Sequence, residues 1–173
     1  MRMRFDFQDV DAPSKPAPPR GAAPVGFLQE LAGPELAAIL YMRSWCEGGA
    51  AKERITSDFR QMLGEGDAWT AVTEFDELMR TTLGGARRPL MRHAVNCKCF
   101  GGDESAFANM VAAAAVQDTD EAMLFACNLL NANAAFQVVR MARALGPMFL
   151  RISNSVAPAG LAMDQPSPSQ FRH

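Results

Sequence analysis

The residues with the richest chemistry lie near the middle of the chain, in the segment MRHAVNCKCFGGDESAF, residues 91–107. His93, Cys97 and Cys99 form the pattern His-x3-Cys-x-Cys. Imidazole nitrogen and thiolate sulfur are donors that Zn²⁺ and iron accept in proteins. A helix over residues 88–96 would bring the histidine and the first cysteine onto one face, and an extended backbone across the two cysteines would put both thiols on one side. The spacing therefore predicts a metal site for zinc or iron.

A tetrahedral zinc site needs a fourth ligand beyond these three residues. The candidates are Cys127, Cys46 and Asp103, and we include Cys127 in the predicted site. Taken singly, Cys46 and Cys127 are predicted to be core residues, because each lies within an apolar helical segment. Either one joins the site only if the fold brings it to the connection that carries His93 and the cysteine pair.

Two other interpretations of the cysteine pair stay open. A thiol-redox protein would use Cys97 and Cys99 as its couple. Lys98, Arg92 and His93 are close in sequence and favour the thiolate form. A disulfide across one intervening residue closes a small, strained ring and would be labile. Alternatively, both thiols are small buried hydrophobes in a tight connection, and the histidine is hydrogen-bonded to a backbone carbonyl.

The residues that flank the cysteines have simpler explanations. Gly101-Gly102 permits a turn into a helix, for which Asp103 is the predicted N-cap with Glu104 in the first turn. The arginines before the histidine are predicted to be solvated surface residues. They are Arg87, Arg88 and Arg92. No phosphate-loop, Gly-x-Ser-x-Gly or His-Glu-x-x-His pattern is present, so no catalytic residue is predicted.

Composition and apolar spacing predict an all-α fold. Ala and Met are abundant, β-branched residues are sparse, and apolar residues recur at helical spacing in six segments. Short connections between these segments favour a compact bundle or array. The six predicted helical segments cover residues 33–49, 50–66, 67–85, 103–117, 118–132 and 133–146.

Several residues predict where these helices begin and end. Pro34 lies near the first position of the first helix, where a missing N–H costs nothing. Asp67 and Asp118 are predicted N-caps. Gly146-Pro147 is predicted to stop the last helix, because proline cannot continue the hydrogen-bond ladder.

The two ends of the chain differ from its middle. Residues 1–24 are predicted to be an extended or disordered segment rich in proline, residues 25–152 a helical domain, and residues 153–173 a disordered tail. Within the first segment, residues 2–10 alternate like a half-buried strand, which would pair with residues 148–153 or with the sheet edge of another protein. A disordered N-terminal tail is the alternative interpretation.

Charge and hydropathy exclude some classes of protein. The net charge of -2 does not favour non-specific binding to nucleic acid. No apolar run approaches the ~20 residues of a membrane span, and the N-terminus does not resemble a secretory signal. We therefore expect a cytoplasmic protein, in which cysteines are reduced, metal-bound or redox-active rather than held in structural disulfides.

The segment RRPLMRHAVNCKCFGGDESAF, followed by VAAAAVQDTDEAMLFACNLL, resembles small helical proteins of alphaproteobacteria. The resemblance extends over residues 34–152 and rests on the Arg-His, Cys-x-Cys and Gly-x-Asp-Glu elements. It implies a compact helical fold, and it implies no substrate and no catalytic residue.

Together these patterns favour a non-enzymatic accessory or regulatory protein. It would act through contacts with a protein partner, made by the N-terminal segment or the helical surface, and a metal ion would fix the connection at His93, Cys97 and Cys99. The alternative is a small thiol-redox protein that uses Cys97 and Cys99. No nucleic-acid partner and no membrane span are expected.

Overall fold

The structure, a computed structural model, describes residues 20–31 and 33–155. These residues form six α-helices and a two-stranded antiparallel sheet, which confirms the predicted all-α fold. The helices are α1 Pro34–Glu47, α2 Gly49–Leu63, α3 Glu65–Gly84, α4 Gly102–Ala115, α5 Thr119–Leu129 and α6 Ala132–Ser155. The strands are β1 Pro24–Phe27 and β2 Cys99–Gly101, and short 3-10 helices at Arg20–Ala22 and Leu28–Glu30 flank β1.

Two of the predicted helix starts are confirmed. Pro34 is the first residue of α1. The carboxylate of Asp118 caps α5 by accepting the Glu121 N–H at 3.0 Å. Gly48, with a φ of 75°, turns the chain directly from α1 into α2, a conformation that glycine adopts without steric cost.

Two other predicted N-caps are wrong. The structure begins α3 at Glu65 rather than after Asp67, because Gly64 at a φ of 83° connects α2 to α3 without further residues. The N-cap of α4 is Gly101 rather than Asp103, which lies inside the first turn. The side chain of Asp103 is engaged elsewhere, as described below.

An aromatic cluster joins four of the helices. Tyr41 of α1 meets Phe59 of α2 edge-to-face at 5.2 Å between ring centroids, and Phe59 meets Phe75 of α3 at 6.0 Å. Phe75 in turn meets Phe149 of α6 at 6.2 Å. All four rings are buried, and such edge-to-face pairs add stability beyond the burial of their area.

Helix α4 lies at the centre of the fold and packs against α1, α5 and α6. Its buried positions combine small and large residues, including Ala108, Ala114, Phe107 and Val111. Small residues allow neighbouring helices to approach closely, and the larger ones fill the space that remains. This packing places the first turn of α4 against α1, which matters for the site.

The prediction that the last helix stops at Gly146-Pro147 is wrong, because α6 continues through both residues to Ser155. Pro147 has no N–H, so the carbonyl of Arg143 loses its helical donor. Nε2 of Gln117, just after α4, donates to that carbonyl at 3.3 Å, and Arg143 Nε donates to Gln117 Oε1 at 3.0 Å. A tertiary contact thus supplies the hydrogen bond that proline removes.

The strand pairing also differs from the prediction. Residues 148–153 belong to α6 and cannot pair with residues 2–10 of the same chain, which lie outside the described residues. Instead β1 pairs with β2, with Gly26 opposite Phe100 and Phe27 opposite Cys99. No helix among the described residues has the length and apolarity that a membrane crossing requires.

Candidate metal centre

His93, Cys97 and Cys99 lie together in the structure, and we call them the metal group. One ligand atom from each residue lies within 4.8 Å of the other two. The Sγ atoms of the two cysteines are 2.9 Å apart. Three atoms spaced in this way lie within about 2.8 Å of a common point, close to the zinc bond lengths of about 2.3 Å to sulfur and about 2.1 Å to nitrogen. The group can therefore hold a metal ion after small adjustments.

The backbone brings these residues together by a turn and not by a helix over residues 88–96, which was one way for the ligands to converge. After α3 the chain is irregular through Ala94, and a turn follows in which the Cys97 N–H donates to the Ala94 carbonyl at 2.9 Å. The extended backbone of β2 begins at Cys99. The turn reverses the chain between the histidine and the thiols, so it achieves the convergence that the helix was expected to provide.

Glu104, in the first turn of α4, forms hydrogen bonds with the connection between α3 and α4, which carries His93 and the two cysteines. Its Oε1 accepts hydrogen bonds from Arg43 Nε at 2.6 Å and from the His93 N–H at 3.1 Å. Its Oε2 accepts from the Gly101 N–H at 2.9 Å and from Arg43 Nη2 at 3.0 Å. Burial alone would raise the pKa of Glu104, but the hydrogen bonds from Arg43, Gly101 and His93 outweigh it and lower the pKa.

Glu104 also orients the imidazole ring of His93. The Nδ1 of His93 lies 2.8 Å from Glu104 Oε2. Because the carboxylate is ionised and can only accept, this contact assigns the proton to Nδ1 and leaves Nε2 as the lone-pair donor. A carboxylate that fixes a histidine in this way is the usual support of a metal-binding imidazole.

Arg43 of α1 is the residue that the sequence analysis missed. Its side chain is fully buried, and it donates to the backbone carbonyls of Cys97 at 2.7 Å, Cys99 at 2.7 Å and Ala94 at 3.3 Å. With its bonds to Glu104, the guanidinium therefore connects the turn to α4. The available signal was its position on the apolar stripe of α1, where an arginine must find a partner inside the protein.

Asp103 fixes the preceding part of the connection. Its carboxylate forms a two-point ion pair with Arg88, with both N···O distances at 2.7 Å, and accepts the Met91 N–H at 2.8 Å. Burial would raise the pKa of Asp103, but Arg88 and Met91 outweigh it and lower the pKa. The prediction that Asp103 is an N-cap and Arg88 a solvated arginine is therefore corrected: they form a salt bridge.

The network around the metal group is complete. No buried side-chain nitrogen or oxygen of the described residues lacks a hydrogen-bond partner. Gly101 leaves no room for a side chain, because a Cβ there would lie 2.7 Å from the Gly21 carbonyl oxygen and 3.1 Å from His93 Cε1. The connection is thus packed as well as hydrogen-bonded.

The two thiols lie in different surroundings. The hydrogen bond with Cys99 lowers the pKa of Cys97, and the same bond raises the pKa of Cys99. Cys97 also lines a cavity of about 480 Å³, together with Phe27, Leu28 and Lys98. Both cysteines are partly exposed, which differs from the interpretation of the pair as buried hydrophobes.

The candidate fourth ligands lie outside the metal group. Cys127 is exposed on α5, so its predicted place in the core is wrong, and neither it nor Cys46 is among the mutually close ligand atoms of the described residues. The carboxylate of Asp103 is committed to Arg88. Among the described residues, the metal group therefore comprises His93, Cys97 and Cys99.

No protein-family model, no curated protein and no solved structure matches this chain. The resemblance to alphaproteobacterial helical proteins stays a prediction.

Proposed function

We propose that this chain is a non-enzymatic accessory protein that binds one zinc ion through His93, Cys97 and Cys99. The observation that supports it most directly is the convergence of these three ligand atoms within 4.8 Å of one another. Glu104 accepts a hydrogen bond from the His93 ring, and Arg43 donates to the cysteine carbonyls, so the ligands are held in place before a metal binds. Such preorganisation reduces the entropy that binding must overcome.

The donor set favours zinc over the hard cations. Two thiolates and one imidazole are the ligands of zinc and of some iron sites, whereas Mg²⁺ and Ca²⁺ require oxygen donors. A site with three protein ligands leaves one tetrahedral position for water or an incoming group. Because the connection is already held by Arg43 and Glu104, zinc adds stability to a formed site rather than building the fold.

The proposed role in protein contacts has support next to the metal group. Val25 and Phe27 of β1 are 58% and 53% exposed, and Phe27 pairs with Cys99 of the metal group across the two strands. Phe27 also lines the cavity beside Cys97. A partner segment that covers this strand would lie beside the ion and could supply its fourth ligand. The N-terminal segment, also proposed as a contact, lies outside the described residues.

Metal analysis of the full chain, purified without a histidine tag, tests the proposal. We expect about one equivalent of zinc after loading and desalting, and release when a strong chelator is added. The substitutions His93→Ala, Cys97→Ser and Cys99→Ser should each abolish stoichiometric binding, because two protein ligands do not hold zinc firmly. Folding of each variant is checked by circular dichroism.

Cys127→Ser is the matched control for loss of a thiol. It removes an exposed cysteine outside the metal group and should keep one equivalent of zinc. Loss of zinc in this variant would make Cys127 the fourth ligand and contradict a three-residue site. A folded wild-type protein that takes up no zinc would overturn the proposed function.

A further inference from the structure

We infer that Cys97 and Cys99, when no metal is bound, form a dithiol couple that reduces low-molecular-weight disulfides. In this reaction Cys97 is the attacking thiol and Cys99 the resolving thiol. The product is a Cys97–Cys99 disulfide that can no longer bind zinc, so the reaction also controls occupancy of the site. That second consequence rests on the proposed function, whereas the thiol chemistry does not.

The distance between the two sulfurs is compatible with disulfide formation as well as with zinc binding. Their separation of 2.9 Å lies between the length of a disulfide bond, about 2.05 Å, and the roughly 3.8 Å that separates two sulfurs on a tetrahedral zinc ion. Each state is reached by moving the sulfurs by about 1 Å, which side-chain rotation can supply. The same pair can thus hold zinc or close on itself.

The backbone keeps the pair together while the sulfurs move. Arg43 donates to the carbonyls of Cys97 and Cys99 at 2.7 Å each. The acceptors are main-chain carbonyls, so these bonds do not use the thiols and leave both sulfurs available for metal or for disulfide formation. A pair held at short distance forms its disulfide with a high effective concentration.

The cavity distinguishes the two thiols. It has a volume of about 480 Å³ and is lined by Cys97 but not by Cys99. A volume of this size accommodates a small organic molecule. Phe27 and Leu28 provide an apolar wall, and the Lys98 ammonium provides a positive charge. A small disulfide with carboxylate groups fits this chemistry and would contact Cys97 first.

The reaction is balanced without a further reagent. The Cys97 thiolate attacks one sulfur of the small disulfide, forms a mixed disulfide and releases the first small thiol, which takes a proton. The Cys99 thiolate then attacks Cys97, forms the intramolecular disulfide and releases the second small thiol, which takes the other proton. The protein dithiol loses two electrons, and the small disulfide gains them.

The test uses a Cys46→Ser/Cys127→Ser protein, in which the pair supplies the remaining thiols, stripped of metal by a chelator. Oxidised glutathione is added and intact mass is followed over time. The pair should lose two hydrogen atoms. With Cys99→Ser added, the protein should accumulate a mixed disulfide on Cys97. With Cys97→Ser added instead, the mixed disulfide on Cys99 should form at least about tenfold more slowly, because Cys99 does not line the cavity. Zinc added first should protect the pair.

The outcomes separate this inference from the proposed function. The inference is overturned if the pair stays reduced in excess oxidised glutathione, even if zinc binds. It is also overturned if the Cys97→Ser protein forms the mixed disulfide as fast as the Cys99→Ser protein. A pair that forms the disulfide in a protein that takes up no zinc supports the thiol chemistry and contradicts the proposed function. If the pair is oxidised at the same rate with and without bound zinc, the oxidation does not control occupancy of the zinc site.

Discussion

At the scale of single residues, Arg43 and Glu104 are the most consequential pair. Both side chains are fully buried, and they meet through two hydrogen bonds of 2.6 and 3.0 Å. A buried ion pair is stabilising only when its geometry is good and its remaining donors and acceptors are satisfied. Here the other bonds go to the connection that carries His93 and the cysteines, so the same pair stabilises the fold and shapes the metal group.

Replacing Arg43 by methionine should therefore destabilise the protein strongly. The change leaves Glu104 buried without its cation and frees three backbone carbonyls of their donor. We expect the free energy of unfolding to fall by about 3–5 kcal/mol. Chemical denaturation followed by circular dichroism measures this loss. Zinc affinity should fall as well, because the turn is no longer held.

The exposed Arg87, in the same connection, provides the matched control. Arg87→Met should change the free energy of unfolding by no more than about 0.5 kcal/mol. The double variant Arg43→Met/Glu104→Gln should recover part of the loss, since the isolated buried charge is gone. A single Arg43→Met variant as stable as wild type would show that the buried pair does not hold the connection.

At the scale of elements, the close approach of α4 and α6 explains why α6 continues past its internal proline. Gly146 is buried, and a Cβ added there would lie 2.8 Å from the Ala115 Cα and 3.2 Å from its carbonyl oxygen. The missing side chain lets the C-terminal part of α4 lie against α6. Gln117, immediately beyond α4, is then close enough to donate to the Arg143 carbonyl.

Gly146→Ala should push these two helices apart. The added methyl group meets backbone rather than a flexible side chain, so the protein should lose about 1–3 kcal/mol of unfolding free energy despite the better helix propensity of alanine. Thermal and urea unfolding measure the change.

Gly66→Ala is the matched substitution in a helix, because a Cβ at Gly66 of α3 meets no atom within 4 Å. It should leave stability unchanged or raise it by up to about 1 kcal/mol. If Gly146→Ala behaves like Gly66→Ala, the close contact between α4 and α6 is not a determinant of stability.

At the scale of the whole molecule, the site unites segments that are far apart in the chain. Arg43 comes from α1, and the two carboxylates come from α4. His93 and Cys97 come from the connection between α3 and β2, and Cys99 is the first residue of β2. The strand β1, near the start of the described residues, pairs with β2 along this connection. Loss of the carboxylate charges should therefore loosen contacts across much of the fold.

Stability should accordingly decrease in acid, and Asp103 should contribute to the decrease. Its folded pKa is lowered by Arg88 and Met91 against burial and the nearby Glu104. A lowered folded pKa gives stability that is present above the ordinary carboxyl pKa of about 3.9 and is lost as the pH falls through the folded value. The unfolding free energy, measured from pH 7 to pH 3, should fall below about pH 4.5.

The Asp103→Asn variant isolates this contribution. At pH 7 it should be less stable than wild type by about 1 kcal/mol, a modest figure because Arg88 is half-exposed. The difference should narrow in acid, where the wild-type carboxylate is also protonated. Glu53→Gln, at an exposed position of α2 beyond its first turn, should follow the wild-type profile. A constant difference between Asp103→Asn and wild type at every pH would contradict this assignment.

Local signals predicted the helical architecture well. The six helices of the described residues, the start of α1 at Pro34 and the cap at Asp118 follow from periodicity and turn chemistry that act within a few residues. The prediction failed where a distant contact replaced a local bond. Pro147 was predicted to end α6 because the donor that bonds the Arg143 carbonyl belongs to Gln117, 26 residues earlier in the chain.

The candidate site divides in the same way. Residue types and spacing alone determined that His93, Cys97 and Cys99 are suitable metal ligands, because donor chemistry is a property of the side chain. Only the tertiary structure decided that a turn brings them together, that Cys127 lies outside the group and that Arg43 and Glu104 support it. A charge can be buried only opposite a partner, and here that partner lies 61 residues away in sequence.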